Sequence, residues 1–115
     1  MKTNMNKVEL IGFAGMDPEI VELPNNGKLA RLRVATSENY RDKDGNWISN
    51  TTWHNVIMWN ANAEKLAANV KKGDRVNIIG KIDYRSYVST NGDKKLAVDI
   101  VAHECKVIPK PVIAE

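Results

Sequence analysis

A chain of 115 residues has room for one domain and not for two. Hydrophobic residues at 43% supply a core, and charged residues at 27% are close to the usual share, which excludes wholesale disorder. With 17 Lys and Arg against 14 Asp and Glu the net charge is only +3, which permits an anionic partner without demanding one, and the single Cys105 excludes an internal disulfide framework.

Met5 to Phe13 reads as a strand, apolar on both registers (Val8, Leu10, Ile11), a pattern that suits a subunit interface. Asp17-Pro18 starts a turn, and Pro24-Asn25-Asn26-Gly27 makes a hairpin tip. Lys28 to Thr36 alternates, with Ala30, Leu32 and Val34 on one face and Leu29, Arg31 and Arg33 on the other. Glu38 to Asn50 is polar, carries the turn pair Asp44-Gly45, and reads as a long loop or hairpin holding Tyr40 and Trp47 with no core for them to fill. Thr51 to Trp59 is a third strand, with Trp53, Asn55, Ile57 and Trp59 on one face and His54, Val56 and Met58 on the other.

A helix is expected from Ala61 to about Lys72, with Asn60 as its N-cap and Ala63, Leu66, Ala67 and Val70 as its apolar stripe. Gly73 is expected to close it in the left-handed conformation. Arg75 to Tyr87 alternates again: Val76, Ile78, Gly80, Ile82 and Tyr84 form the inner set, and Gly80 marks a bend or bulge. After a turn at residues 89–93, Lys94 to His103 returns with Leu96, Val98 and Ile100 expected inward. Residues 1–108 form the domain, and the prolines at 109 and 111 mark 109–115 as a short tail. The expected architecture is all-β, a five-stranded OB barrel with one helix between the third and fourth strands.

Catalytic readings fail on the residues. Gly73 to Gly80-Lys81 is two residues too long for a phosphate loop, and Ile82 stands where a metal-binding Ser or Thr is needed. His54 has inner-face parity and reads as a hydrogen-bonded structural histidine, Cys105 as a small buried hydrophobe, and the acids of the 38–50 segment as solvated turn residues. No catalytic group, metal site or cofactor is expected.

A binding surface is better supported. Single-stranded nucleic acid requires cations for its phosphates and flat aromatic faces for unstacked bases. The strand faces that exclude the core carry Trp53 and Trp59, then Lys81, Arg85 and Tyr87, then Arg31 and Arg33; the polar segment adds Tyr40, Lys43 and Trp47. Residues 71–95 hold seven cations against three acids, more net charge than the whole chain carries. One such side chain alone would be a packed aromatic or a solvated cation; their joint placement is what points to a ligand. Nothing is shaped as a recognition helix for a duplex groove.

Several stretches resemble the bacterial single-stranded DNA-binding proteins. These are Asn6-Lys7-Val8-Glu9-Leu10-Ile11-Gly12 with Gly15 and Asp17-Pro18-Glu19, Leu32 to Glu38, Thr52-Trp53-His54-Asn55-Val56, Ala63-Glu64, Val70 to Asp74, Gly80-Lys81-Ile82, and Arg85-Ser86-Tyr87. They span residues 5 to 108 in the family's order. The resemblance implies an OB fold, sequence-tolerant binding of single-stranded DNA in replication, recombination and repair, a homotetramer (a dimer being the alternative), and the bacterial cytoplasm, at the nucleoid, with no membrane partner. It implies base stacking on Tyr40, Trp53, Trp59 and Tyr87, and cationic roles for Lys43, Lys72 and Arg85. Asn55 and Asp83 depart from it, since cations are common at both places, and Phe13 stands where Asn is usual. The family's long tail with an acidic, Phe-ended tip that recruits replication and repair proteins has no counterpart in Pro111-Val112-Ile113-Ala114-Glu115. The competing expectations are an interaction module of the primosomal-accessory kind that binds DNA weakly, and an RNA chaperone on the same fold.

Overall fold

Four strands run beyond the spans their patterns predict, while the first begins later, at Val8. In a computed structural model, which describes residues 4–109, the order is β1 (Val8–Ala14), β2 (Glu19–Glu22), β3 (Lys28–Arg41), β4 (Trp47–Trp59), α1 (Ala61–Asn69), β5 (Arg75–Val88) and β6 (Lys94–Val107). β1 pairs with β5, β5 with β6, β6 with β4 in parallel, β4 with β3, and β3 back to β1 through Phe13 opposite Ala35 and Ala14 opposite Val34. That circuit closes the five-stranded barrel expected from the sequence. The short β2, which hangs on β3, was not foreseen, so the helix lies between β4 and β5. The barrel is filled by the inward residues of each strand, among them Leu32, Val34, Val56, Val76 and Ile78, all essentially inaccessible to water. Such closure leaves little unpaired strand edge.

α1 packs against the barrel core through Ala63 and Leu66, joined by Val70 just past its end, while Ala67 faces water. Lys28 Nζ donates to Glu64 Oε1 at 2.7 Å and ties the helix to β3. Its ends differ from expectation. Asn60 makes no capping bond; its Oδ1 accepts from the Lys28 N–H at 3.3 Å and its N–H donates to the Lys28 carbonyl at 2.8 Å, so it serves the strand pair instead. The helix stops at Asn69 because Val70 is already extended. Gly73, at φ +91°, does not close it but sits in the Lys71–Asp74 turn, where its N–H reaches the Ala14 carbonyl.

One further expectation is decided and one is corrected. Of the loop and the hairpin that residues 38–50 allowed, the hairpin forms: β3 and β4 run on as a paired ladder to Arg41 opposite Trp47, and only Asp42–Asn46 turn, with Asp42 Oδ1 accepting from the Asp44 and Asn46 N–H groups. Alternating polar side chains are compatible with a strand that is wet on both faces, which is why composition alone left the two open. Leu96, Val98 and Tyr84 do not face inward. They have the inner parity, but β5 and β6 project beyond the barrel as a two-stranded arm, so these side chains share an exposed face with Val88.

Gly80 does mark an irregularity, as its position predicted. Ile79 pairs with Glu104 and Gly80 with Ala102, leaving His103 of β6 as the extra residue of a bulge. His54 is the structural histidine expected, its Nε2 at 2.9 Å from Thr36 Oγ1. Cys105 is half-buried against the core, and burial pushes its thiol up to about 11, so it is neutral and unreactive at ordinary pH. Among the described residues, no helix is long and apolar enough to cross a membrane, and no cluster of His, Cys, Asp and Glu has the form of a metal site.

Candidate nucleic-acid interface

The outward face of the β3–β4 ladder carries the larger part of the predicted site. Residues directly opposite in an antiparallel pair share a face. Arg31 therefore lies beside Ile57, Arg33 beside Asn55, Ala35 beside Trp53, and Arg41 beside Trp47. Trp47, Trp53 and Trp59 are six residues apart on one strand, so all three emerge on that same face at intervals of about 20 Å. Their exposures of 66%, 50% and 43% are large for tryptophan and leave ring surface free.

Arginines are set against two of these rings. The Arg41 guanidinium lies 4.8 Å from the centre of the Trp47 ring and that of Arg33 lies 5.3 Å from Trp53. Trp53 also rests on Gly15, where a side chain would collide with the far edge of the indole. The collision is with the end of a movable side chain, not with backbone. Gly15→Ala should therefore leave the thermal midpoint nearly unchanged while displacing the indole. A shift in Trp emission and a several-fold loss of oligonucleotide affinity would be the signs; an unchanged spectrum would mean that the ring does not depend on Gly15.

Across from this face stands β5. Asp83, Arg85 and Tyr87 alternate toward the arm's tip, and the space between the two walls is a cleft of about 560 Å³. Arg31, Arg33, Asn55, Ile57 and Trp59 line one side, Asp83, Arg85 and Asp99 the other, with Met16 and Glu19 at the β1–β2 end. Arg85 is not a free cation. Its Nε donates to the buried Asp99 at 2.7 Å, and its guanidinium lies 5.8 Å from the Tyr87 ring, so it neutralises one residue and positions another. Asp99 was missed from the sequence, because a carboxylate between Val98 and Ile100 reads as an interruption of a strand; only its ion pair with Arg85 across the β5–β6 pair explains it.

The remaining predicted residues lie around this centre. Lys81 is on the outward face of β5, two residues from Asp83 and outside the cleft lining. Lys72 is exposed in the turn after α1, its N–H bound to Asp17 Oδ1 at 2.8 Å, which sets it near Gly15 and the Trp53 end. Lys43 is exposed in the β3–β4 turn. Tyr40 is half exposed but has the opposite parity to the tryptophans, facing Ile48 on the reverse side of the ladder. The structure thus brings together Arg31, Arg33, Trp53, Trp59 and Arg85, aligns Trp47 and Tyr87 with them, and sets Tyr40 apart. Such an arrangement offers a sequence-tolerant surface for flat rings, flanked by cations that reach from several sides.

Comparison with known proteins agrees with this geometry. The single-strand binding protein family matches residues 5–108. The chain is 40% identical over 105 residues to the single-stranded DNA-binding protein of Neisseria meningitidis serogroup A, covering 91% of this chain and 60% of that protein. It is 36% identical over 109 residues to single-stranded DNA-binding protein 1 of Chlorobaculum tepidum, covering 94% and 67% respectively. Among solved structures, the Plasmodium falciparum SSB in complex with ssDNA superposes with a TM-score of 0.81 at 28% identity, covering 94% of this chain and 97% of that one. A deletion mutant of the Thermus aquaticus single-stranded DNA binding protein shares the fold, with a TM-score of 0.79 at 24% identity over 91% of this chain and 51% of that one. The chain spans about 60% of the length of the Neisseria relative. On residues 5–108, nearly its whole length, the chain belongs to the single-strand binding protein family.

Proposed function

We propose that the chain binds single-stranded DNA without catalysis and with broad tolerance of sequence, protecting strands exposed in replication, recombination and repair. The observation that carries this reading is the row of three exposed tryptophans on one face of β4, two of them paired with arginines, opposite a second wall bearing Tyr87. Bases stack on Trp53, Trp59 and Tyr87, with Trp47 extending the row along the β3–β4 ladder. Arg31, Arg33, Lys43, Lys72 and Lys81 meet phosphates. A strand that also stacks on Tyr40 must pass over the edge of the ladder, since that ring faces the other way. The superposition on a relative solved with ssDNA supports the ligand class.

We assign the active form to a homo-oligomer, a tetramer by family precedent. Ile11 and Phe13 are exposed on β1, and β1 pairs with β3 only at its last two residues, which leaves the rest of that edge open among the described residues. A second copy adding its own β1 would cover both. The cytoplasm is the compartment this reading requires.

Titration of oligo-dT against intrinsic Trp fluorescence tests the proposal. Strong quenching that resists duplex competitor is expected, and log affinity should fall with log salt at a slope of about −0.7 for each phosphate neutralised. Unchanged emission, together with no complex by a mass-based assay, would overturn it in favour of a protein-interaction module. Equal displacement by oligo-U and oligo-dT would show that the 2′-OH is tolerated and point to RNA as well.

A further inference from the structure

The arm that carries Arg85 and Tyr87 is held at its root by very little. β5 and β6 pair with each other out to Val88 and Lys94, but β1 leaves β5 at Val8 opposite Gly80, and β4 meets β6 only at Val56 opposite Ile100 and Ile57 opposite Val101. Beyond the Ile82–Ile100 pair no other strand flanks the arm among the described residues. Side chains do not brace it either: Tyr84, Val88, Leu96 and Val98 are all exposed. One contact reaches the root from the β1 side. Asn6 Nδ2 donates to the Ile82 carbonyl at 2.9 Å, and the Ile82 N–H donates to Asn6 Oδ1 at 3.0 Å.

The β1–β5 register, continued by two residues, sets Asn6 opposite Ile82. A backbone partner there would make the same two bonds. The side chain makes them instead, because an amide carries a donor and an acceptor side by side. The main chain thus departs from β5 while the ladder gains one more rung. That rung lies level with the Val56–Ile100 tie on the other strand, since Ile82 and Ile100 are themselves paired. The two ties clamp the arm on both edges at one point, and leverage makes that point matter. Tyr87 lies five residues beyond Ile82, about 17 Å along an extended strand, so a tilt of roughly 10° at the root carries its ring about 3 Å. That is close to the thickness of a base, enough to take Tyr87 out of stacking contact with a strand that lies on the β4 tryptophans.

We propose that Asn6 is a positioning residue for this interface: by completing the β1–β5 ladder at Ile82 it fixes the angle of the arm, and through the arm the place of Tyr87 across from the tryptophan row. The role rests on the reading of the interface as a single-stranded DNA surface, and adds to it a residue that acts without touching the strand.

Asn6→Ala removes both bonds. Because Asn6 is exposed, water replaces them, and the thermal midpoint should move little. Hydrogen exchange should show the Ile82 N–H losing its protection while the barrel amides of Val76 and Ile78 keep theirs. Affinity for oligo-dT should fall about fivefold, the low end of what one stacked base contributes. A double-mutant cycle with Tyr87→Ala supplies the readout that a general weakening would not move. If Asn6 acts through the arm, its loss shrinks to about twofold or less once Tyr87 is gone, whereas in a Trp53→Ala background it persists in full. Losses that add in both backgrounds overturn the proposal. A change of oligomeric state in Asn6→Ala by sedimentation also overturns it, since the effect would then run through a subunit contact. Unchanged affinity with the Ile82 N–H exposed overturns it as well, while leaving the DNA-binding reading intact. Failure of the unmodified protein to bind oligo-dT at low salt would remove that reading and this one together.

Discussion

Trp53→Ala should weaken binding of every single-stranded sequence by tenfold or more and leave the fold intact. A base stacked on an aromatic ring contributes roughly 1–3 kcal/mol with little regard to which base it is. Trp53 sits mid-row, between Trp47 and Trp59, so a strand following β4 cannot avoid it. Its indole is half exposed and lies outside the barrel core, so truncation opens no internal cavity. The loss has a second part. Arg33 leans on this ring at 5.3 Å, and without it a long side chain must be ordered anew to meet a phosphate. Equilibrium titrations with oligo-dT, oligo-dC and a mixed sequence, each at two salt concentrations, measure both parts. The loss should be similar for all three sequences, and the salt slope should change by less than one phosphate. A loss confined to one base, or none, would mean that Trp53 is not a stacking platform. Trp53→Phe should recover most of the affinity, because what is asked of the residue is a flat ring rather than an indole N–H.

How much of this was legible in the sequence depends on what each residue packs against. The barrel order and the inward sets Ala30-Leu32-Val34 and Val76-Ile78 were legible because a closed barrel buries one parity of every strand and the sequence alternates accordingly. The same rule failed where strands leave the barrel. Leu96 and Val98 keep the inner parity yet are exposed, since nothing covers that face of the arm in a single chain. The Glu38–Asn50 segment stayed open between loop and hairpin for the converse reason. A ladder solvated on both faces has no apolar alternation to read, so its pairing is visible only in the register of Arg41 with Trp47.

The interface divides along the same line. Arg31, Arg33, Trp53 and Trp59 were found by parity within predicted strands; the cleft unites Arg31, Arg33 and Trp59, and Trp53 joins them through Arg33, which lies against its ring. What the sequence could not give is which cations are free. Arg85 looks like any outward arginine until the buried Asp99 is placed against it across the β5–β6 pair. Nor could it show that Tyr40 faces away from the tryptophans, because that required knowing residues 38–50 to be strand.

Gly80→Ala should be strongly destabilising, costing about 2–3 kcal/mol and lowering the thermal midpoint by about 10 °C. Here the β5–β6 pair turns the barrel's corner, with His103 bulged out on β6 and the β6 backbone pressed close over Gly80. A Cβ at this position would run into the Val101 carbonyl and the Ala102 Cα. These are backbone atoms of the neighbouring strand, which have no rotamer to change, so the pair itself must part. The same two strands carry the wall that holds Asp83, Arg85 and Asp99, so a shift at the corner widens the cleft as well. Circular dichroism melts at one protein concentration give the midpoint without the mass-action drift expected of an oligomer. Gly92→Ala provides the contrast. Gly92 has φ +84° in the open turn between β5 and β6, with nothing within 4 Å of the added methyl, so its cost is backbone strain alone, about 1 kcal/mol. If the two variants melt alike, close approach at Gly80 is not what sets the barrel's corner; if Gly80→Ala is clearly the worse and also loosens oligo-dT binding, the corner that closes the barrel also sets the width of the groove.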